Sequence, residues 1–437
     1  MSQYYHSVTL DKDKCTGCTS CLKRCPTEAI RVRDGKARII KERCIDCGEC
    51  IRVCPHHAKI AMTDSLSDIK HYKYSVALPA PTLYGQFKGL KSITQVFSAL
   101  RSLGFDGVYE TSVGADVLSQ HIRRMLQQGS VRKPLISSAC PAIMRLIQVR
   151  FPALRENIVP LRPPVEAAAL LARRSFCEKW GCNLKDIGIF FISPCPAKMT
   201  AKISPLGNHT SGIDGVLSMM ELYGPLAAAI NREAKSGAGY NQPRIGLSGG
   251  VGWASSGGEA NQVGTENYLA VDGVHNVIKA LEAIEDGRLS EIDFFEGLAC
   301  TGGCVGGPLV FEYSYIAKMR LHKLCDEMSR EDRQTYRSGV HLDDTDALRF
   351  DYILPPNPVL KLDTDFRKAL SMMERIDEIE ADLPGLDCGS CGSPTCRCQA
   401  EDIVRGYSSE IDCIYKLKEQ YRSLSDAEHN NNTFKGE

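Results

Sequence analysis

No stretch of the 437 residues approaches the ~18 consecutive apolar residues that a membrane-spanning helix needs, so membrane insertion is not expected. Neither sign of charge is in excess. The 53 Lys and Arg offset 53 Asp and Glu, which leaves no basic surplus to neutralise phosphates and argues against nucleic-acid binding through bulk charge. Met1 to Ser7 has no basic stretch leading into an apolar core, so no export signal is read and the expected compartment is the cytoplasm. Phosphate-cradling motifs are missing too: there is no G-x-G-x-x-G after a strand and no G-x4-G-K-S/T. The ten histidines form no H-x-E or H-E-x-x-H arrangement, so zinc hydrolysis is unsupported. What is plentiful is cysteine, at 20 residues. In a reducing compartment that count points to metal or redox chemistry rather than disulfides. The remaining composition, 43% hydrophobic and 24% charged, is that of a large globular protein of two to four domains.

The cysteines fall in blocks that divide the chain. Eight lie in the first 54 residues, four lie between 388 and 398 with a fifth at 413, and seven are scattered between. A segment of about 60 residues so rich in cysteine builds little apolar core, so residues 1–62 are expected to be held by metal. The middle reads as alternating α/β. Short apolar runs at Ser75 to Leu78, Pro134 to Ile136, Asp186 to Ile192 and Pro243 to Leu247 suggest buried parallel strands, separated by amphipathic stretches such as Val117 to Gln127. The prolines of Leu354 to Val359 break regular structure, and Phe366 to Ala381 then has helical apolar spacing. The expected organisation is a ferredoxin-like α+β domain at 1–62, an α/β domain with parallel sheets flanked by helices at 63–360, a small mostly helical cluster domain at 361–425, and a disordered polar tail at 426–437.

Cys15, Cys18, Cys21 and Cys25 followed by Pro26 give C-x2-C-x2-C-x3-C-P, and Cys44, Cys47, Cys50 and Cys54 followed by Pro55 repeat it. Three thiolates two residues apart wrap one cubane while the fourth ligates the other cluster, so the ligand sets are crossed. One 4Fe-4S cluster is expected on Cys15, Cys18, Cys21 and Cys54, the other on Cys44, Cys47, Cys50 and Cys25. Zinc would leave the cadence unexplained. The segment resembles bacterial two-cluster ferredoxins throughout, which implies electron transfer.

Near the other end, Cys388, Cys391 and Cys396 lie in DCGSCGSPTCRCQAEDIV, and Cys413 follows after sixteen residues. The arrangement resembles a one-cluster 4Fe-4S module of respiratory-type electron-transfer subunits. Cys398 falls outside the pattern, although its closeness leaves a swap with Cys396 open, and a zinc knuckle is the competing reading.

Between these modules, Cys140 (SSACPA), Cys195 (ISPCPAK), Cys300 and Cys304 (EGLACTGGCVGG) follow strand-like runs and could converge at one end of a sheet. Together they resemble the active-site loops of FeFe hydrogenases, with patterns T-S-C-C-P, M-P-C-x2-K and E-x-M-x-C-x3-C-x-G-G. Tyr109 to Asp116, Ile213 to Glu221 and Ser248 to Val251 occupy the places of that family's F-D-T-x-F-x-A-D, D-x-V-L-T-x-R-E and T-G-G-V segments, in order. The resemblance covers about residues 70 to 325.

It implies reversible oxidation of dihydrogen to two protons and two electrons. Cys140, Cys195, Cys300 and Cys304 would hold a 4Fe-4S cubane, bridged by Cys304 to a diiron unit carrying CO, cyanide and a bridging dithiolate, the whole being the H-cluster. Soft thiolates suit low-valent iron. Lys198, three residues after Cys195, matches the lysine that binds one cyanide, and Pro79 and Ala80 match the backbone presented to the other. Gly302, Gly303, Gly306 and Gly307 would let the backbone approach the cluster. With the two N-terminal clusters and the C-terminal one, the cofactor set is three 4Fe-4S clusters plus the H-cluster. The implied partners are H2 and protons, diiron-cofactor maturation proteins, and a protein redox partner, either a ferredoxin or a downstream signalling protein. A homodimer is compatible with the sequence.

The sequence also departs from the family. Ala139 stands where catalytic members carry the cysteine that donates a proton, Ser193 and Leu298 replace pocket methionines, and the acidic pair expected after Asp116 is absent from VLSQHIRRMLQ. Such replacements resemble the sensory branch called group D, which lacks the PAS domain of group C. A fast catalyst with another proton route, a slow hydrogen sensor, and an electron-relay or iron-sulfur assembly-type protein that has lost the diiron unit all compete. Any alternative proton route needs titratable groups near the cofactor, and the candidates are Glu296, Glu259 and Glu166. Cys177, Cys182 and Cys325 read as small core hydrophobes.

Overall fold

The computed structural model describes residues 5–129, 131–236, 242–335, 340 and 346–433. The chain forms two compact units. The larger comprises Met1–Val8, Ile45–Gly48 and Ala61–Asn357, and the smaller comprises Thr9–Cys44, Glu49–Ile60 and Pro358–Glu437.

Two parallel sheets organise the larger unit. The first has four strands in the order Gly107–Val108, Tyr74–Pro79, Ile187–Ser193, Gly215–Ser218. Its central strands read as continuous apolar runs because helices cover both faces, and Val76, Ala77, Leu78, Ile187, Ile189 and Ile192 are fully buried. The second sheet has the order Tyr268–Asp272, Phe294–Leu298, Leu135–Ile136, all parallel. Around it pack the helix Pro141–Arg150 and the helix Val274–Glu285, whose Val277, Leu281 and Ile284 face the sheet.

Three of the four expected strands form, and Pro243 to Leu247 does not. The reason lies in where its backbone donors go. The N–H groups of Ile245 and Gly246 donate to the Glu110 carboxylate and that of Leu247 donates to Asp116 Oδ2, at 2.8 Å, so two buried carboxylates take the bonds a neighbouring strand would have taken. Burial pushes the Asp116 carboxyl up to about 7 despite these donors.

The smaller unit draws its residues from both ends of the chain. The N-terminal cysteine block and the C-terminal cysteine module share one unit, apart from short stretches of the first. Asp402 joins them: it takes a two-pronged contact from Arg31 (2.5 and 3.0 Å), a bond from Arg33 at 3.0 Å and one from Ser393 Oγ at 2.7 Å, and it is buried. The Val32 N–H also donates to the Gly392 carbonyl. Neither segment has enough apolar side chains to stand as a domain, and the joint core is two small clusters. Replacing Asp402 by Ala leaves the buried Arg31 guanidinium and the half-buried Arg33 guanidinium without their carboxylate. The expected loss is about 3–5 kcal/mol, read as an earlier denaturant-induced bleaching of the cluster chromophores than in the parent.

The expected disordered tail is also revised. The last helix runs Ile414–Thr433, so residues 426–433 are helical, and 434–437 lie outside the described residues.

Candidate functional site

Three cysteine loops leave the carboxyl ends of parallel strands, the usual place for a site in such sheets. Leu135–Ile136 leads to Cys140, which sits immediately before the helix Pro141–Arg150. Ile187–Ser193 leads to Cys195, and Phe294–Leu298 leads to Cys300 and then Cys304. The four thiols meet. Cys304 is half-buried; desolvation by the surrounding protein holds its thiol far above the ordinary range, and the neighbouring Cys140, Cys195 and Cys300 push it the same way while Lys198 opposes them. Burial likewise raises Cys195, with Lys198 opposing and Cys140 adding. Four half-buried thiols converging beside one ammonium fit an iron-sulfur cluster, whose metal takes the thiols as thiolates.

The loops are held by side chains absent from the expected roles. Ser193 stands at the place of a pocket methionine, yet its Oγ donates to the Cys195 carbonyl at 2.9 Å and accepts from the Cys195 N–H at 3.2 Å. It shapes the Cys195 turn. Lys198 Nζ donates to the Ala139 carbonyl at 3.0 Å, tying the Cys195 and Cys140 loops together. Pro79 lies opposite Ile192 in the sheet, and the Ala80 N–H donates to the Ile192 carbonyl, which puts both at the entry to the Cys195 loop. The glycines around Cys304 bring protein segments together. A Cβ on Gly307 would lie 2.4 Å from the Pro194 carbonyl oxygen, and one on Gly303, whose φ is +91°, would lie 2.6 Å from the Ser256 nitrogen.

Two of the three candidate proton carriers are paired. Glu259 and Glu296 are 3% and 1% exposed. Burial raises both, Glu259 further through the charge of Glu296, and Glu296 reaches about 7 although the Ala260 and Gly257 N–H groups pull it down. Ser137 connects the pair to the first loop: its Oγ donates to Glu259 Oε2 at 2.6 Å and accepts from the Ala139 N–H at 3.1 Å. Sequence reasoning missed Ser137, whose only signal was its place two residues before Ala139. Glu166 lies elsewhere. It accepts from Ser211 Oγ and the Gly212 N–H, and with Lys198 and Ser138 it lines a cavity of about 20 Å³, enough for one water.

In the smaller unit, Cys15, Cys18, Cys21 and Cys54 line one cavity, the crossed set expected for the first cluster. The Ala37 and Ala58 N–H groups donate to the sulfurs of Cys15 and Cys54, and the Ala29 N–H to that of Cys25, a pattern that favours thiolate ligands. At the C-terminal module, Cys391 has Cys413 and Cys388 as charged neighbours, and Cys396 shares an apolar cluster with Cys413. Cys398 points away: its thiol donates to Glu28 Oε2 at 2.8 Å and is pushed up to about 12, chiefly by burial. The expected result of Cys413→Ser or Cys396→Ser is loss of one of three clusters by iron analysis, while Cys398→Ser keeps all three. Loss in the Cys398 variant instead would make that thiol the ligand.

The family described as iron-only hydrogenase large subunit, C-terminal domain, matches residues 73–266 and 258–308, more than half of the chain. The chain belongs to that hydrogenase family. A 4Fe-4S dicluster domain family matches residues 7–55, and a family described as an Fe-S cluster domain matches residues 383–415. Among hydrogenase relatives, the periplasmic Fe hydrogenase large subunit of Nitratidesulfovibrio vulgaris is 26% identical over 362 residues, 69% of this chain and 86% of the relative. The NADP-reducing hydrogenase subunit HndD of Solidesulfovibrio fructosivorans is 23% identical over 344 residues, 67% of this chain but only 55% of that relative's length. A solved structure of FeFe-hydrogenase HydA1 from Chlamydomonas reinhardtii aligns with 67% of this chain and 98% of its own at 16% identity and a TM-score of 0.46. The architecture is that of FeFe hydrogenases, with parallel sheets flanked by helices and an N-terminal iron-sulfur segment. Among the described residues no helix is long and apolar enough to cross a membrane.

Proposed function

We propose that this hydrogenase-family protein oxidises H2 reversibly to protons and electrons, slowly, in the service of hydrogen sensing, and that it belongs to the group D branch. The observation that carries the reading is the meeting of Cys140, Cys195, Cys300 and Cys304 beside Lys198 at the ends of parallel strands. The four cysteines would hold the cubane of the H-cluster, with Cys304 also holding the diiron unit, which would supply the H2 chemistry when bound. Lys198 would place its ammonium against a cyanide ligand, and the Pro79 to Ala80 backbone would border the other side. The surrounding protein partly desolvates the Cys195 and Cys304 thiols, which strengthens charge interactions there.

Protons need a path that Ala139 cannot supply, because a methyl group neither gives nor takes one. The buried pair Glu259 and Glu296, reached from the Ala139 loop through Ser137 Oγ, supports a replacement route. A carboxyl raised to about 7 can hold and release a proton near neutral pH, which suits it to this work. Electrons would leave through the clusters on Cys15, Cys18, Cys21, Cys54 and on Cys44, Cys47, Cys50, Cys25, and through that on Cys388, Cys391, Cys396, Cys413, to a protein acceptor in the cytoplasm. Infrared spectroscopy of protein matured with the diiron unit tests the reading. Terminal CO and cyanide stretches that change under H2 are expected. Their absence after verified maturation would favour an electron-relay or assembly-type protein.

A further inference from the structure

The cavity ringed by Cys15, Cys18, Cys21 and Cys54 has a cationic wall. Lys59 lines it, is 2% exposed, and its Nζ has no hydrogen-bond partner among the described residues. An ammonium taken out of water without an anion is strongly unfavourable, so an anionic group belongs opposite it. Lys36, another lysine of this segment, is engaged by backbone: its Nζ donates to the carbonyls of Lys12 and Cys15. Lys59 itself acts by charge on the buried Cys21 thiol, alongside Cys54, Cys18 and Cys15.

The internal duplication shows what an ordinary residue does at this position. A step of 29 residues carries Cys15, Cys18, Cys21 and Cys25 onto Cys44, Cys47, Cys50 and Cys54. The local structure repeats with it. Ala29 and Ala58 each donate an N–H to the preceding cysteine sulfur at 3.2 Å, and Glu28 and His57 share a left-handed backbone with φ of 51° and 49°. The same step relates Lys59 to Ile30, which is also 2% exposed and packs in the apolar cluster with Cys25 and Cys50. At this buried wall position the two halves therefore differ in charge, apolar in the first and cationic in the second.

We infer that Lys59 is the counter-charge of the cluster held by Cys15, Cys18, Cys21 and Cys54, and that it holds this cluster at a higher reduction potential than an apolar residue would. The inference rests on that ligand set. Reduction brings one electron to a site already ringed by four thiolates, with no bond made or broken, and the added negative charge is what a buried ammonium stabilises. Lys59 is a positioning residue for electrons and takes no part in the reaction of hydrogen.

The test is a redox titration of the matured full chain followed by electron paramagnetic resonance. Lys59→Met keeps the reach of the side chain and removes the charge, Lys59→Arg keeps the charge, and Cys18→Ser marks the titration wave that belongs to this cluster. In Lys59→Met that wave is expected to move to lower potential, with the ratio of reduced to oxidised cluster at a fixed potential falling at least tenfold, or 59 mV for a one-electron couple. Lys59→Arg should stay within about threefold of the parent. A Met variant that loses the cluster while the Arg variant keeps it supports the same conclusion. An unmoved wave with the cluster present overturns the inference, as does loss of the cluster from both variants, which would make shape rather than charge decisive. If the parent itself holds no cluster on these four cysteines, the ligand assignment fails and the inference falls with it.

Discussion

Hydrogen turnover by the matured protein should fall about 100-fold or more when Glu259 or Glu296 is replaced by Gln, the lower range of what a positioned proton carrier contributes. Both carboxyls are buried and raised, and Ser137 joins Glu259 to the Ala139 loop, so glutamine keeps the shape while removing the exchangeable proton, at the loss in Glu296 of one of the two bonds accepted from the Gly257 and Ala260 N–H groups. Glu166→Gln should cost less, since it lies apart from this pair against Ser211 and Gly212. Ala139→Cys alone should not bring turnover to the level of standard catalytic members, because the acidic residues that would continue that route are absent from the helix Thr111–Gln128. Hydrogen evolution at the standard rate in that single variant would remove both the missing-route argument and the sensory assignment. The same pair predicts a pH effect on stability. The folded Glu296 carboxyl titrates at about 7, above its unfolded value, so the native state binds more protons between roughly pH 4.5 and 7. Stability therefore falls as pH rises through that window, and Glu296→Gln should flatten the slope in denaturant titrations taken across it. An unchanged slope would mean that Glu296 is ionised in the fold.

Loss of the H-cluster cubane is the expected result of Gly307→Ala. The backbone at Gly307 has an ordinary conformation, φ −59°, so the penalty is steric: the new methyl would sit 2.4 Å from the Pro194 carbonyl oxygen. Pro194 precedes Cys195, and the Leu309 N–H donates to that same carbonyl. Relief of the clash separates the Cys304 loop from the Cys195 loop, and a cubane spanning both loses its geometry. Overpacking of this kind costs about 1–3 kcal/mol, too little to unfold the unit but enough to displace a ligand by the ångström or so that matters. Iron content and infrared bands read the outcome, and Gly224→Ala, whose Cβ meets nothing within 4 Å, is the control. Full iron and unaltered bands in Gly307→Ala would show that the loops tolerate separation.

What the sequence disclosed and what it hid divide by range. The cysteine blocks were legible because ligand spacing is a local property, and the strands Tyr74–Pro79, Leu135–Ile136 and Ile187–Ser193 were legible because burial on both faces writes a continuous apolar run. The same reasoning failed at Pro243 to Leu247, where an apolar run is held by the carboxylates of Glu110 and Asp116 more than 130 residues away in the chain. Glu259 and Glu296 could be named as candidates from their neighbours in the chain, but their pairing and the part played by Ser137 depend on a helix, a strand and a loop meeting. Asp402 was invisible for the same reason: nothing in QAEDIV says that two arginines of the strand Ile30–Arg33 will need its carboxylate. Lys59 could have been found, since comparing the two halves of the duplication exposes it.

The bond between Arg31 and Asp402 joins residues 371 positions apart. During synthesis at about 5–20 residues per second, the first eight cysteines leave the ribosome roughly 20 to 75 s before the carboxylate that Arg31 and Arg33 require. In that interval the smaller unit cannot close, while most of the larger unit, which lies between, has its own sheets and cores available. The order of folding then follows from chain position: the smaller unit waits for residue 402, and a chain cut short before it leaves Arg31 and Arg33 without their carboxylate.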